Sequence, residues 1–183
     1  MSEELVIRQC APTLAGIKSG SLFPCAFSSR KELADELRRL NARLVPKGLC
    51  LMPLKYDNGR VLLYLFRPAG LRRDLGHPLA MELLRRQGYV CGNCGRCVAH
   101  LCRRMRENRD FPHEVGLFLS YPPEDVLGFM ENRAENCKCA GLWKVYGDEK
   151  RAQELFTQFK SCTEDYRRRM EAGDGLDELA VAV

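Results

Sequence analysis

A chain of 183 residues that is 45% hydrophobic and 29% charged, with 15 glycines and 9 prolines, is long enough to bury a core and too apolar to stay disordered. Twenty-nine basic against 24 acidic residues leave a net charge of +5, too small an excess over too much chain for a nucleic-acid binder. The longest apolar run, residues 61–66, falls far short of the roughly 20 residues of a membrane helix, and the start MSEELVIRQ lacks a signal peptide's apolar core, so a cytoplasmic protein with no membrane association is expected.

In chain order, residues 3–9 read as a short helix and residues 12–20 as a second, with proline in its first turn and glycine past its last. Ser29 and Glu32 form a capping box ahead of Leu33, Leu37, Leu40 and Leu44, which line one helical face until Pro46 and Gly48 end it. Residues 49–56 and 60–67 flank Asp57-Asn58-Gly59, the turn chemistry of a tight hairpin, so two antiparallel strands are predicted. Pro78 opens a helix ending at Gly88, and a further helix is predicted over 93–108, where Cys94, Val98, Leu101 and Met105 recur at helical spacing. Residues 113–121 alternate Val115, Leu117 and Leu119 with smaller or aromatic partners and read as a strand covered on both faces. A helix starts at Pro122-Pro123, a strand covers 142–146, and Asp148 caps a long helix burying Leu155, Phe159, Cys162 and Tyr166. About four strands and six or seven helices make one α+β domain over 1–172, a small mainly antiparallel sheet covered by helices, with 173–183 as a loose acidic tail.

The 10 cysteines are the compositional anomaly. Without an export signal they read as reduced thiols, metal ligands or core fillers and not as disulfides. Cys91, Cys94 and Cys97 have the C-x2-C-x2-C spacing of ferredoxin-type cluster ligands. The same residues begin an apolar stripe through Met105, which favours packing in a helix. Cys137 and Cys139, two apart in extended chain, project to one side and suit one metal ion or one redox pair. His113 and Glu114 stand at the mouth of the predicted 113–121 strand, and Cys10 stands just ahead of a helix start at Pro12, where the helix dipole lowers a thiol's pKa. Cys50, Cys102 and Cys162 read as packing residues, and Arg167 to Arg169 as a solvated helix end.

The strings CAPTLAGIK, FPHEVGLFLSYPPEDVLGFMEN and CKCAGLWKVYGD, in this order, resemble a bacterial family known as domain of unknown function thirty-seven ninety-three. The resemblance runs from about Leu5 to Tyr166 and implies a ranking of positions, not a reaction. Cys10, Pro12, Lys18, Pro112, His113, Glu114, Tyr121, Pro122, Cys137, Cys139, Trp143 and Tyr146 fall in its recurrent strings. It also implies an ordinary amphipathic helix where Cys91, Cys94 and Cys97 stand, and a redox or iron-handling protein as partner.

Three functional expectations follow. The first is a metal- or redox-associated accessory protein in which Cys10, His113, Cys137 and Cys139 converge on zinc or iron, with Glu114 as a further ligand or supporting partner. The second is a thiol-dependent enzyme with Cys10 as nucleophile, His113 as base and Glu114 orienting it. The third is an interaction module without catalysis.

Overall fold

Alternation along β3 (Arg60–Phe66) decides where the layers go. In a computed structural model that describes residues 2–107 and 111–182, β3 is the middle strand of an antiparallel sheet of order β1-β3-β2, between β1 (Gly20–Ala26) and β2 (Cys50–Asp57). Successive side chains on a strand face opposite ways. Val61, Leu63 and Leu65 accordingly enter one core, and Leu62, Tyr64 and Phe66 the other. The predicted hairpin forms with Asp57 opposite Arg60 and Cys50 opposite Phe66, turning through Asn58 and Gly59 at positive φ. Pro24 and Pro53 lie on the two edge strands, where a residue without an N–H is tolerated.

The first core is closed by α1 (Glu3–Leu14), by α2 (Arg30–Leu44) through Leu33, Leu37, Leu40 and Leu44, and by Tyr166 of α7 (Glu149–Glu171). Ser29 Oγ accepts a hydrogen bond from Glu32 N at 3.2 Å, as the capping box predicts. The second core is closed by α3 (Pro68–Leu75), α4 (Pro78–Arg86), α5 (Cys94–Glu107) and Val126 of α6 (Pro123–Glu131). The fold is α+β with helices on both faces of the sheet. No helix among the described residues is long and apolar enough to cross a membrane.

Several local expectations are corrected. The N-terminal segment is one helix with Pro12 in its last turn, and the chain then enters β1 where a second helix was expected to close. Pro12 forgoes the bond to the Arg8 carbonyl, and the helix ends two residues later as Gly16 turns the chain at φ +80° and Ile17 N and Lys18 N fold back onto the Pro12 carbonyl. Residues His113–Leu119 form a 3-10 helix and not a strand, with Glu114 through Leu119 buried. Burial on all sides removes the periodicity that separates strand from helix. The strand expected over 142–146 shrinks to β5 (Lys144–Val145), paired with β4 (Cys139–Ala140). The last residue of the helix predicted over 93–108 lies outside the described residues.

The C-terminal segment is no loose tail: α8 (Leu176–Leu179) buries Leu176 and Leu179 completely in the first core. Arg67, just after β3, explains the tie. It is 4% exposed and donates to the carbonyls of Thr13, Leu14 and Val181 at 2.7 Å each and of Lys47 at 3.1 Å. Among the described residues no carboxylate stands within ion-pair distance of it. Thr13 and Leu14 end α1, so the negative end of a helix takes the counterion's place.

Candidate functional site

The β4–β5 hairpin is too short to hold itself together, and a single carboxylate fixes it. Asp125, in the first turn of α6 and 2% exposed, accepts from Trp143 Nε1 at 2.7 Å, Tyr146 N at 2.8 Å and Gly147 N at 2.7 Å. Tyr146 lies over Gly128 of α6 so closely that an added Cβ there would sit 2.3 Å from Tyr146 Cβ. Trp143, thus oriented, stacks on Tyr121 with centroids 4.7 Å apart and meets the edge of Phe156 at 4.4 Å. With Val145, Ala152 and Phe159 it forms a third apolar cluster.

Two clefts lie on either side of this stack and share Tyr121, Leu142 and Trp143 as their wall. The first, about 420 Å³, is mainly apolar and aromatic, with Val126, Phe129 and Phe111 among its walls and His113, Asp125 and Lys144 as its charged or titratable members. His113 meets the ring of Phe129 edge-on at 5.1 Å. The second, about 370 Å³, is more polar and is lined by Gln9, Lys18, Ser21, Lys160 and Thr163 beside the aromatic rings. Lys18 Nζ stands 5.7 Å from the Tyr121 ring centroid and 5.9 Å from that of Phe159. Burial lowers its pKa to about 8. Burial likewise raises the pKa of Tyr121.

The expected four-ligand site does not assemble. Among the described residues no three His, Cys, Asp or Glu side chains form a set able to hold a metal ion. Cys10 is fully buried inside α1, in the first core, and Cys139 packs against the third cluster. Because Cys10 lies within one continuous helix and not ahead of a new one, burial drives its thiol pKa far above the usual range, against the smaller opposing effects of Lys18 and Ser21. A thiol so placed is neither an activated nucleophile nor a ready ligand. The expected relay fails at its third member as well. Glu114 is 1% exposed and turned into the second core, where its Oε1 lies 2.7 Å from Arg104 Nε and accepts from Tyr89 Oη at 3.0 Å. Its neighbour His113 is exposed and faces the first cleft.

Cys91, Cys94 and Cys97 line one cavity of about 140 Å³ at the start of α5, with Cys91 in the preceding turn. Cys97 is 2% exposed, and burial together with the two neighbouring thiols raises its pKa to about 11. It packs in the second core with Cys102, as the helical stripe predicts. Cys50 and Cys162 are half-buried.

Sequence reasoning did not single out Asp125 or the two clefts, and it placed Lys18 and Trp143 in recurrent strings without a role. The three strings meet here: CAPTLAGIK supplies Pro12 and Lys18, the middle string Tyr121 and Asp125, and the last string Leu142 and Trp143. No curated protein and no solved structure matches the chain. A family described as protein of unknown function (DUF3793) matches residues 6–180, and the chain belongs to that family.

Proposed function

We propose that this chain binds a planar, largely apolar small molecule at the clefts flanking the Tyr121–Trp143 stack. The observation that carries this reading is the first cleft itself. A volume of about 420 Å³, aromatic walls and a few converging polar groups are the attributes of a small-molecule site. Rings present flat, polarisable surface to a planar guest. His113 at the mouth and Lys144 on the hairpin set its polar contacts. The reading with zinc or iron lacks an assembled ligand set, and the reading with a Cys10 nucleophile lacks a reactive thiol.

Trp143 is the only tryptophan in the sequence, so its fluorescence reports on this wall alone. Titration with the planar dye anilinonaphthalene sulfonate should give saturable, one-to-one energy transfer from Trp143. Leu142, 43% exposed on the shared rim, can be changed to lysine without touching a core. Leu142→Lys should weaken dye binding at least tenfold. Dye binding without energy transfer from Trp143, or indifferent to Leu142→Lys, would overturn the reading.

A further inference from the structure

We infer that Lys18 is a covalent anchor, its amine forming a Schiff base with an aldehyde or ketone ligand seated in the cleft between Tyr121, Phe159 and Trp143. The inference rests on the binding reading above and names the ligand's reacting group.

Three observations carry it. Lys18 follows the turn through Gly16 at the end of α1 and reaches a cleft of about 370 Å³, ample for a ring bearing a carbonyl. Its nearest aromatic neighbours are Tyr121 and Phe159, and among the described residues no carboxylate stands within ion-pair distance of its amine. The one carboxylate lining the same cleft, Glu164, already has both oxygens held by Arg167, from Nη2 at 2.6 Å and Nε at 3.2 Å. An amine left without an anionic partner against apolar rings loses the stabilisation of its charged form and keeps its lone pair available.

The other ionisable groups facing Lys18 reinforce this. Cys10 approaches from α1 as a neutral thiol, Tyr121 as a neutral phenol and Lys160 from α7 as a second cation. On the far side, Arg67, Arg72 and Arg73 line a further cleft of about 350 Å³ that Lys18 also borders. Among the described residues lining these two clefts every full charge except the engaged Glu164 is positive, and Asp74, behind Ser19, is held by the hydroxyls of Ser19 and Ser120.

The step balances without a co-reactant. The nitrogen lone pair adds to the carbonyl carbon to give a carbinolamine. The two amine protons then leave with the carbonyl oxygen as water, and a C=N bond joins the ligand to Nζ. The hydroxyls of Ser21 and Thr163, though they line the cleft, are engaged with Thr13 Oγ1 at 2.8 Å and the Phe159 carbonyl at 2.9 Å, so the protons pass to and from solvent water.

The test maps the labelled lysine in wild-type protein, so no variant has to fold. Protein is incubated with benzaldehyde and cyanoborohydride, which fixes an imine as a secondary amine, and the modified peptide is identified by mass spectrometry. At pH 7 an amine with a pKa of about 8 is neutral on the order of 100-fold more often than an ordinary lysine near 10.4. Labelling of Lys18 should exceed that of the exposed lysines at least tenfold and fall about tenfold for each pH unit below 7. Adduct spread evenly over the lysines, or centred on Lys160 with Lys18 untouched, would overturn the inference. Trp143 fluorescence recorded in the same samples separates the two readings. A saturable change without adduct at Lys18 keeps the cleft as a binding site and removes the covalent step, whereas no change and no adduct remove both.

Discussion

The sheet with its two cores and the β4–β5 hairpin are held in different ways. Each face of the sheet buries leucines, aromatic rings and helix stripes from many elements, so its stability is distributed over a large apolar area. The hairpin has two residues per strand, and its position depends on the three hydrogen bonds of Asp125 and on the rings around Trp143. A two-stranded piece of that size has no stability of its own. The wall that the two clefts share at Leu142 and Trp143 therefore sits on the part of the molecule with the fewest independent supports, while their other walls belong to the scaffold.

Four substitutions break or sharpen this contrast. Arg67→Met should cost the most, about 3–5 kcal/mol in urea denaturation, because four carbonyls lose their donor in a buried place. A loss below about 1 kcal/mol would mean that the first core does not depend on that tie. Glu114→Gln should cost about 1–3 kcal/mol by removing the buried carboxylate that pairs with the partly exposed Arg104, which would keep only its bonds to Gln87. A variant as stable as the parent would show that Gln87 and solvent suffice for the Arg104 charge.

Asp125→Asn should cost about 1–3 kcal/mol and act locally. In urea the Trp143 emission should shift to the red at lower denaturant than the loss of far-ultraviolet circular dichroism. Two transitions that move together would erase the distinction between scaffold and hairpin.

The smallest effect belongs to Lys18→Met. The folded pKa of Lys18 lies below its unfolded value, so the folded protein binds fewer protons and is penalised wherever the amine must charge. That penalty is complete below pH 8 and fades as pH rises from 8 towards 10.5. Lys18→Met should thus be more stable than the parent by about 1–2 kcal/mol at pH 7 and nearly equal to it above pH 10. An advantage independent of pH would mean that the amine is solvated in the folded state.

The elements legible in the sequence were those with an unambiguous period or a stop signal. The leucine stripe of α2, the hairpin around Asn58-Gly59 and the half-apolar face of α5 are of this kind. The segment His113–Leu119 was misread because six successive buried residues leave no polar face to set a period. Leu176 and Leu179 were missed because two leucines among acidic residues carry no period, although both are fully buried. The candidate site was less legible than the fold. His113 and Glu114 are adjacent and go opposite ways, one to the first cleft and one to the second core. Cys10 looked like a helix start only because Pro12 was read as a first turn and not a last one. Asp125 carried one usable signal, an acidic residue in the first turn of a helix just before a tryptophan-bearing hairpin, but nothing in the spacing of 125, 143 and 146 announces that they meet.

The bonds of Arg67 also bear on when each face of the sheet can be completed during synthesis. Its guanidinium joins the end of the first helix, the turn before β2 and Val181, so the first core lacks a wall until synthesis has passed position 181. The face of the sheet that carries α3 to α5 draws on residues 50–126 and is available much earlier. Once residues 1–130 have left the ribosome the second face has its helices, whereas the first, covered by α1 and α2, still lacks Tyr166, Leu176 and Leu179. Ribosome-bound intermediates of this protein are thus open to chaperones on a known side.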